Sequence, residues 1–317
     1  MLVITYALDP TADYVLRELT DRGVPFWRTD LADFPGRSTL TAELRTEGRW
    51  GGRMGDELRG VDLSEVRSVW WRKPTSYSFP DTMSEPERRF AASQAKGAVP
   101  GVLGSLPGVL WVNRPERNAD CTKPAQLAVA ARAGLRVPET LITNDPAAVA
   151  PFAARCGGHI VTKVFGSIVH TEGGKRGQLY TRRVPPDQYD NPRIGLTAHL
   201  FQREITAKVY EIRVTAVAGK LFPVAIHAPD GPARLDWRRD SSSLTHTPVD
   251  LPHDVICGIH TMLGGLGLVY AALDLIVDSD GTHYLIDVNP GGQWAWIDLT
   301  RESITHALAD LLEKGTL

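Results

Sequence analysis

Three oxygen-bearing side chains near the C-terminal end, Asp274, Asp287 and Asn289, are the residues best suited to chemistry. Asp274 interrupts the apolar run 269–277, and Asp287 and Asn289 lie in a second run, Tyr284-Leu285-Ile286-Asp287-Val288-Asn289. Asp278-Ser279-Asp280-Gly281 joins them, and Asp-Gly is a strong turn signal. The two runs therefore read as a β-hairpin. Asp287 and Asn289 are two apart, so on a strand they project from one face. Two carboxylates and a carboxamide together suit a hard cation such as Mg²⁺, whose shell is completed by substrate phosphates. The alternative, ordinary strand-end acids, fits less well, because Asp is depleted inside strands and rarely buried.

Basic residues at other points suggest an anionic ligand. Lys163 lies in the middle of the apolar stretch His159-Ile160-Val161-Thr162-Lys163-Val164-Phe165. An ammonium there is costly without an anionic partner, and phosphate is the obvious one. The glycine-containing basic turn Gly173-Gly174-Lys175-Arg176-Gly177 reads either as a flap closing over phosphates through backbone N–H groups or as a solvated hairpin tip. Glu211 and Arg213 share a strand face, either as a surface ion pair or with the arginine fork aimed at a transferring phosphoryl group. Trp70-Trp71-Arg72-Lys73-Pro74 reads as a strand end with snorkelling cations or as a basic, aromatic edge facing an anion.

The surrounding chain supplies elements to hold these groups. Strands are expected at residues 2–7, 24–28, 66–74 and 109–113, with helices at 12–22 and 86–103 and a meander over 40–58. A helix over 123–133 stops at Gly134, and residues 137–143 are extended. A helix over 147–156, capped by Asn144 or Asp145, precedes the Lys163 strand. Strands at 199–205, 210–217 and 221–227, a polar loop over 229–252, a helix at 254–266, the hairpin and a helix at 304–312 complete the chain. The order predicts α+β lobes around a cleft.

The 317 residues are 43% hydrophobic and 23% charged with a net charge of −2, which describes an ordinary soluble enzyme. Nothing global favours nucleic acid, and no apolar run approaches the ~20 residues of a membrane span. Cys121, Cys156 and Cys257 are far apart without a CxxC pair, which argues against a disulfide framework or a zinc ribbon. Each reads as a small buried hydrophobe, and a reducing cytoplasm is the expected compartment.

Taken in order, Lys123, Lys163, Gln202-Arg203-Glu204-Ile205, Glu211-x-Arg213, Asp274 and Asp287-x-Asn289 resemble the nucleotide and metal positions of the ATP-grasp superfamily. Asn289-Pro290-x-Gly292-Gln293-Trp294, Asp236-Trp237-Arg238, Trp70-Trp71-Arg72-Lys73-Pro74 and Asn113-Arg114-Pro115 are similar, more narrowly, to the ATP-grasp ribosomal peptide maturases, the microviridin-type macrocyclases that make graspetides. The resemblance implies an ATP-grasp fold with a pre-ATP-grasp domain over 1–118, a central lobe over 119–198 and a catalytic lobe over 199–317. It also implies ATP held by Lys123, Lys163 and Glu211, with Gln202 to Ile205 offering backbone groups to adenine. Mg²⁺ falls to Asp274, Asp287 and Asn289, and the transferring phosphoryl to Arg213 and Arg238. One departure stands out: Asp287 occupies a position that is commonly Glu in the superfamily, one methylene longer.

The implied reaction activates Asp or Glu side chains of a ribosomal precursor peptide as acyl phosphates and closes ester or amide crosslinks with Thr, Ser or Lys. A leader segment of that peptide is expected on the central lobe, around residues 147–189, and a homodimer is a further expectation of the family. Two other readings are a ligase joining small molecules and a nucleotide-binding module without catalysis. The full set of lysines, arginines and metal ligands argues against the last.

Overall fold

The computed structural model describes residues 1–166, 169–172 and 175–317. The N-terminal part is built on a parallel sheet in the order Trp27–Thr29, Leu2–Thr5, Ser68–Lys73, Leu110–Val112. Parallel sheets are covered on both faces, and the period of two divides the first strand accordingly. Leu2 and Ile4 enter one core with Val99, Leu103 and Met54, while Val3 enters another with Leu16, Leu308 and Leu312. The meander forms as Thr39–Leu44, Trp50–Gly55 and Gly60–Asp62. Helix Glu85–Gly104 starts with a capping box between Ser84 and Glu87. Helix Pro10–Asp21, on the other face of the sheet, starts at Asp9, whose carboxylate accepts from the Ala12 amide.

A second, antiparallel sheet orders Arg182–Arg183, Ile160–Lys163, His199–Arg203 and Thr140–Thr143. Helix Val149–Arg155 covers it through Val149, Phe152 and Ala153 against Ile160 and Phe201. Residues 146–148 form a 3-10 turn capped by Asp145, so the helix starts slightly later than the sequence pattern suggests. His199–Arg203, where the sequence reading begins the third lobe, pairs on both sides within this sheet. Of the expected phosphate flap 173–177, Gly173 and Gly174 lie outside the described residues, and its basic part falls in strand Lys175–Gln178, which pairs with Val169–Glu172.

The largest sheet is antiparallel, in the order Thr245–Pro248, Lys220–His227, Lys208–Val217, Tyr270–Asp278, His283–Asn289. Thr245–Pro248 and three short helical turns replace the expected polar loop. One face carries Ile212, Val214, Leu273, Leu275 and Val288 into a core with helix His253–Leu266 and with Ala130 of helix Lys123–Arg132. The last helix, Asp298–Lys314, is longer than its apolar pattern and packs Ile304, Leu308 and Leu312 against the N-terminal helix and strands. Cys121 and Cys156 are buried, but Cys257 is exposed, correcting the expectation that all three fill cores. It lies on the outer side of an amphipathic helix whose inner face is already filled by Val255, Ile259 and Met262.

Candidate active site

The hairpin forms as its sequence suggests, from Tyr270–Asp278 and His283–Asn289, with Asp278 accepting from the amides of Asp280 and Thr282. Asp274 stands directly opposite Asp287 on one side and opposite Arg213 on the other. A row of charges therefore crosses three strands on the face away from the apolar core. Arg213 Nη1 donates to Asp274 Oδ1 at 2.7 Å, with both side chains buried. Burial raises the Asp274 carboxyl above its usual range against the pull of Arg213. The guanidinium also packs 5.5 Å from Trp237 and 6.0 Å from Trp296, which stack on each other at 4.7 Å.

Asp287 is held from the other direction. Lys123 Nζ donates to Asp287 Oδ1 at 2.5 Å. Burial opposes its charge, yet Lys123 carries its carboxyl below the ordinary carboxylate range. Lys123 reaches that position because Gln126, one turn along the same helix, is locked onto the edge strand. Gln126 Nε2 donates to the Val288 carbonyl at 2.7 Å, and Oε1 accepts from the Val288 amide at 3.1 Å. The buried amide thus completes the ladder between Asp287 and Asn289. Sequence reasoning missed Gln126; its only signal was a polar residue on the buried side of an amphipathic helix.

A cleft of about 520 Å³ opens over these groups, a size suited to a small-molecule cofactor. Lys123, Lys163, Gln202, Arg203, Glu204, Ile205, Glu211, Arg238, Asp274, Asp287 and Asn289 all line it. Arg213, buried and paired to Asp274, is not among the residues that line it. Burial, with repulsion from Lys123, pulls the Lys163 ammonium down to about 8. Gln202 is buried and donates to Thr140 Oγ1 at 2.9 Å. The amides of Arg203 and Glu204 bond the carbonyls of Glu139 and His159. The Glu204 carboxylate is gripped by Arg183 at 2.8 to 3.0 Å.

Glu211 and Arg213 do not pair with each other. Glu211 bonds Lys208 Nζ, while Arg213 takes Asp274. Burial raises Glu211 despite Lys208. Arg238 is clamped by its own motif, Nε and Nη2 each 2.8 Å from Asp236, and Asp236 also accepts from the Thr181 amide. Asp236, only 3% exposed, is thus a holder of the arginine. The sequence pattern Asp236-x-Arg238 contained it without showing that function.

Among the described residues no three His, Cys, Asp or Glu side chains gather as a metal cluster. Two facing carboxylates and a carboxamide fit instead an ion that draws its other ligands from phosphate. Asn289 Oδ1 accepts from the Gly291 amide at 3.0 Å, which fixes its orientation.

The loop after Asn289 is fastened to the N-terminal part. Asn113 accepts from the amides of Val269 and Tyr270 and donates to the carbonyls of Tyr270 and Pro290. Gln293 Oε1 accepts from Arg72 Nη2 at 2.7 Å and from Thr11. Arg72 in turn is paired to Asp9, both fully enclosed. Burial opposes the Asp9 charge, but Arg72 keeps its carboxyl below the usual range. A side chain on Gly292 would overlap the Ala272 Cβ, so the turn there requires glycine.

Residues 1–119 match the family model described as the MvdD pre-ATP grasp domain. Among solved structures, the macrocyclase MdnC of Microcystis aeruginosa, bound with precursor peptide MdnA, is 27% identical with a TM-score of 0.85, covering 99% of both chains. The macrocyclase MdnB of the same organism is 26% identical over 98% of both chains, with a TM-score of 0.79. A RiPP-associated ATP-grasp ligase of Chryseobacterium gregarium, in complex with ADP and a leader and core peptide, shares the fold at a TM-score of 0.89. It is 23% identical, covering 100% of this chain and 97% of its own. No curated protein sequence matches the chain. Fold and site together define an ATP-grasp ligase. Within that class the chain is similar to ATP-grasp macrocyclases that act on ribosomal precursor peptides.

Proposed function

We propose that the protein uses ATP and Mg²⁺ to activate Asp or Glu side chains of a ribosomal precursor peptide and closes them into ester or amide crosslinks. The observation that carries this reading is one cleft in which Lys123, Lys163, Asp274, Asp287 and Asn289 converge. It lies in a chain similar over nearly its whole length to a macrocyclase bound with its precursor peptide.

Phosphoryl transfer depends on positioning and charge neutralisation. Asp274, Asp287 and Asn289 would hold Mg²⁺, which would supply neutralisation of the nucleotide's phosphate charge. Lys123 and Lys163 would hold the α and β phosphates, with adenine at the Gln202 to Ile205 segment. Lys123 and Arg213 neutralise the two aspartates in the nucleotide-free protein; a cation there would compete with both and free them to turn toward phosphate. A substrate carboxylate oxygen bonds the γ-phosphorus as the bond to ADP breaks. A peptide hydroxyl or amine then bonds the acyl carbon, inorganic phosphate leaves, and the nucleophile's proton passes to phosphate or solvent. Arg213 and Arg238 would stabilise these anionic states.

The leader is assigned to the central lobe around residues 147–189, where Arg182 and Arg183 are exposed, and the protein is assigned a homodimeric state and a place in the cytoplasm. Among the described residues no helix is long and apolar enough to cross a membrane. The test is mass spectrometry of the peptide encoded beside the gene after incubation with protein, ATP and Mg²⁺. Loss of one water mass per crosslink is expected. Unchanged peptide mass with ATP turnover on small carboxylates would favour the small-molecule ligase, and no turnover the binding module.

A further inference from the structure

The N-terminal part contributes a cation to the cleft that none of the assignments above uses. Lys73 lies at the end of strand Ser68–Lys73 and lines the cleft beside Asn289 and Gly291. Its Cε is 3.8 Å from where a Gly291 Cβ would sit, and the Asn289 Oδ1 is 3.9 Å from the same point. The side chain is half-buried, and among the described residues it has no hydrogen bond or ion pair. Asp9, the carboxylate near it, is already engaged by Arg72, Thr5 and the Ala12 amide.

Two more donors nearby are unpartnered. Arg72 Nη1 and Arg213 Nε are buried and bond nothing among the described residues. The charges of Arg72 and Arg213 both act on Lys73, and both also act on the buried Tyr270 hydroxyl. Burial followed by repulsion from Arg72 lowers the Lys73 ammonium. A half-buried cation among like charges is unfavourable unless an anion joins it.

Which anion follows from the charges around each lysine. Lys163 interacts with Lys123, Asp287, Glu211 and Arg238, whereas Lys73 interacts with Arg72, Asp9 and Arg213. The two lysines therefore have different charge neighbours, and Lys73 enters the cleft beside Asn289 and Gly291. In an in-line transfer the attacking oxygen approaches from the side away from the leaving ADP. We propose that Lys73 binds the side-chain carboxylate of the incoming peptide and holds it for phosphorylation, rather than binding the nucleotide. The pre-ATP-grasp domain then supplies part of the substrate site, and Lys73 offsets the repulsion between a carboxylate and the γ-phosphate.

This inference rests on the proposed macrocyclase activity, and the test separates the two. Full-length wild-type, Lys73→Met and Lys73→Arg proteins are assayed for peptide water loss and titrated with ADP and Mg²⁺. Peptide binding is measured with the natural precursor and with one whose acidic core residues are Asn and Gln. Lys73→Met should raise the peptide KM about tenfold or more, leave ADP affinity unchanged and be partly rescued in Lys73→Arg. The amide peptide should bind wild type more weakly by a similar factor, with no further loss in Lys73→Met. If ADP affinity falls instead, Lys73 is a phosphate ligand and the proposal is overturned. It is equally overturned if the amide peptide loses the same affinity on both proteins. A wild-type protein that never removes water sinks the macrocyclase reading itself, and this inference with it.

Discussion

The two walls of the cleft handle charge in opposite ways. On the large sheet each buried ion has an internal partner: Arg213 with Asp274, Lys123 with Asp287, Lys208 with Glu211 and Arg238 with Asp236. Facing them, Lys163 on the central sheet and Lys73 from the N-terminal sheet have no ion-pair partner among the described residues. The paired wall can be kept assembled without ligand, because its desolvation is offset internally. The unpaired cations are supported only by an anion that arrives from outside. Structural stability should therefore follow the first wall and ligand affinity the second.

The largest expected break in this contrast is Asp287→Ala. Peptide water loss should fall by at least about 10²–10³-fold, measured by mass spectrometry, while circular dichroism stays native. Near-normal turnover would remove Asp287 from the metal site. Arg213→Ala should abolish turnover too, but it also leaves Asp274 buried without its partner. Denaturant unfolding should show a loss of about 3 kcal/mol or more. A double variant, Arg213→Met with Asp274→Leu, should regain much of that stability and no activity.

Gly292→Ala should destabilise by about 1–3 kcal/mol through overpacking against Ala272. Gly291→Ala, whose added carbon would meet the Arg72 carbonyl at an ordinary 3.4 Å, should change stability by less than about 0.5 kcal/mol. Equal effects would mean that the loop is not held as described. The smallest effect sharpens the ligand-facing wall. Lys163 loses its proton near pH 8 in the free protein, and bound phosphate favours the charged form. ADP binding should thus take up a proton above about pH 8 and weaken by up to about tenfold per pH unit there. Calorimetry in buffers of different ionisation enthalpy reads this linkage, and Lys163→Met should remove it.

Much of the candidate site was legible because a hairpin has a simple code. The Asp-Gly turn, two apolar runs and the period of two placed Asp274, Asp287 and Asn289 together before any tertiary information. Arg213 was put on the correct strand for the same reason. Its partner was not legible: register alone sets Asp274 opposite Arg213 and leaves Glu211 to Lys208.

The remaining assignments needed contacts between distant segments. Gln126 looked like one polar residue on a helix, yet it closes the edge of the strand that carries two metal candidates. Arg72 and Gln293 are 221 residues apart and meet only after the N-terminal sheet docks against the hairpin loop. By itself the sequence determined which side chains share a strand face, since backbone geometry repeats locally. Tertiary structure alone decided which charges are neutralised within the protein and which are left for a ligand, since desolvation and pairing depend on what the fold brings alongside.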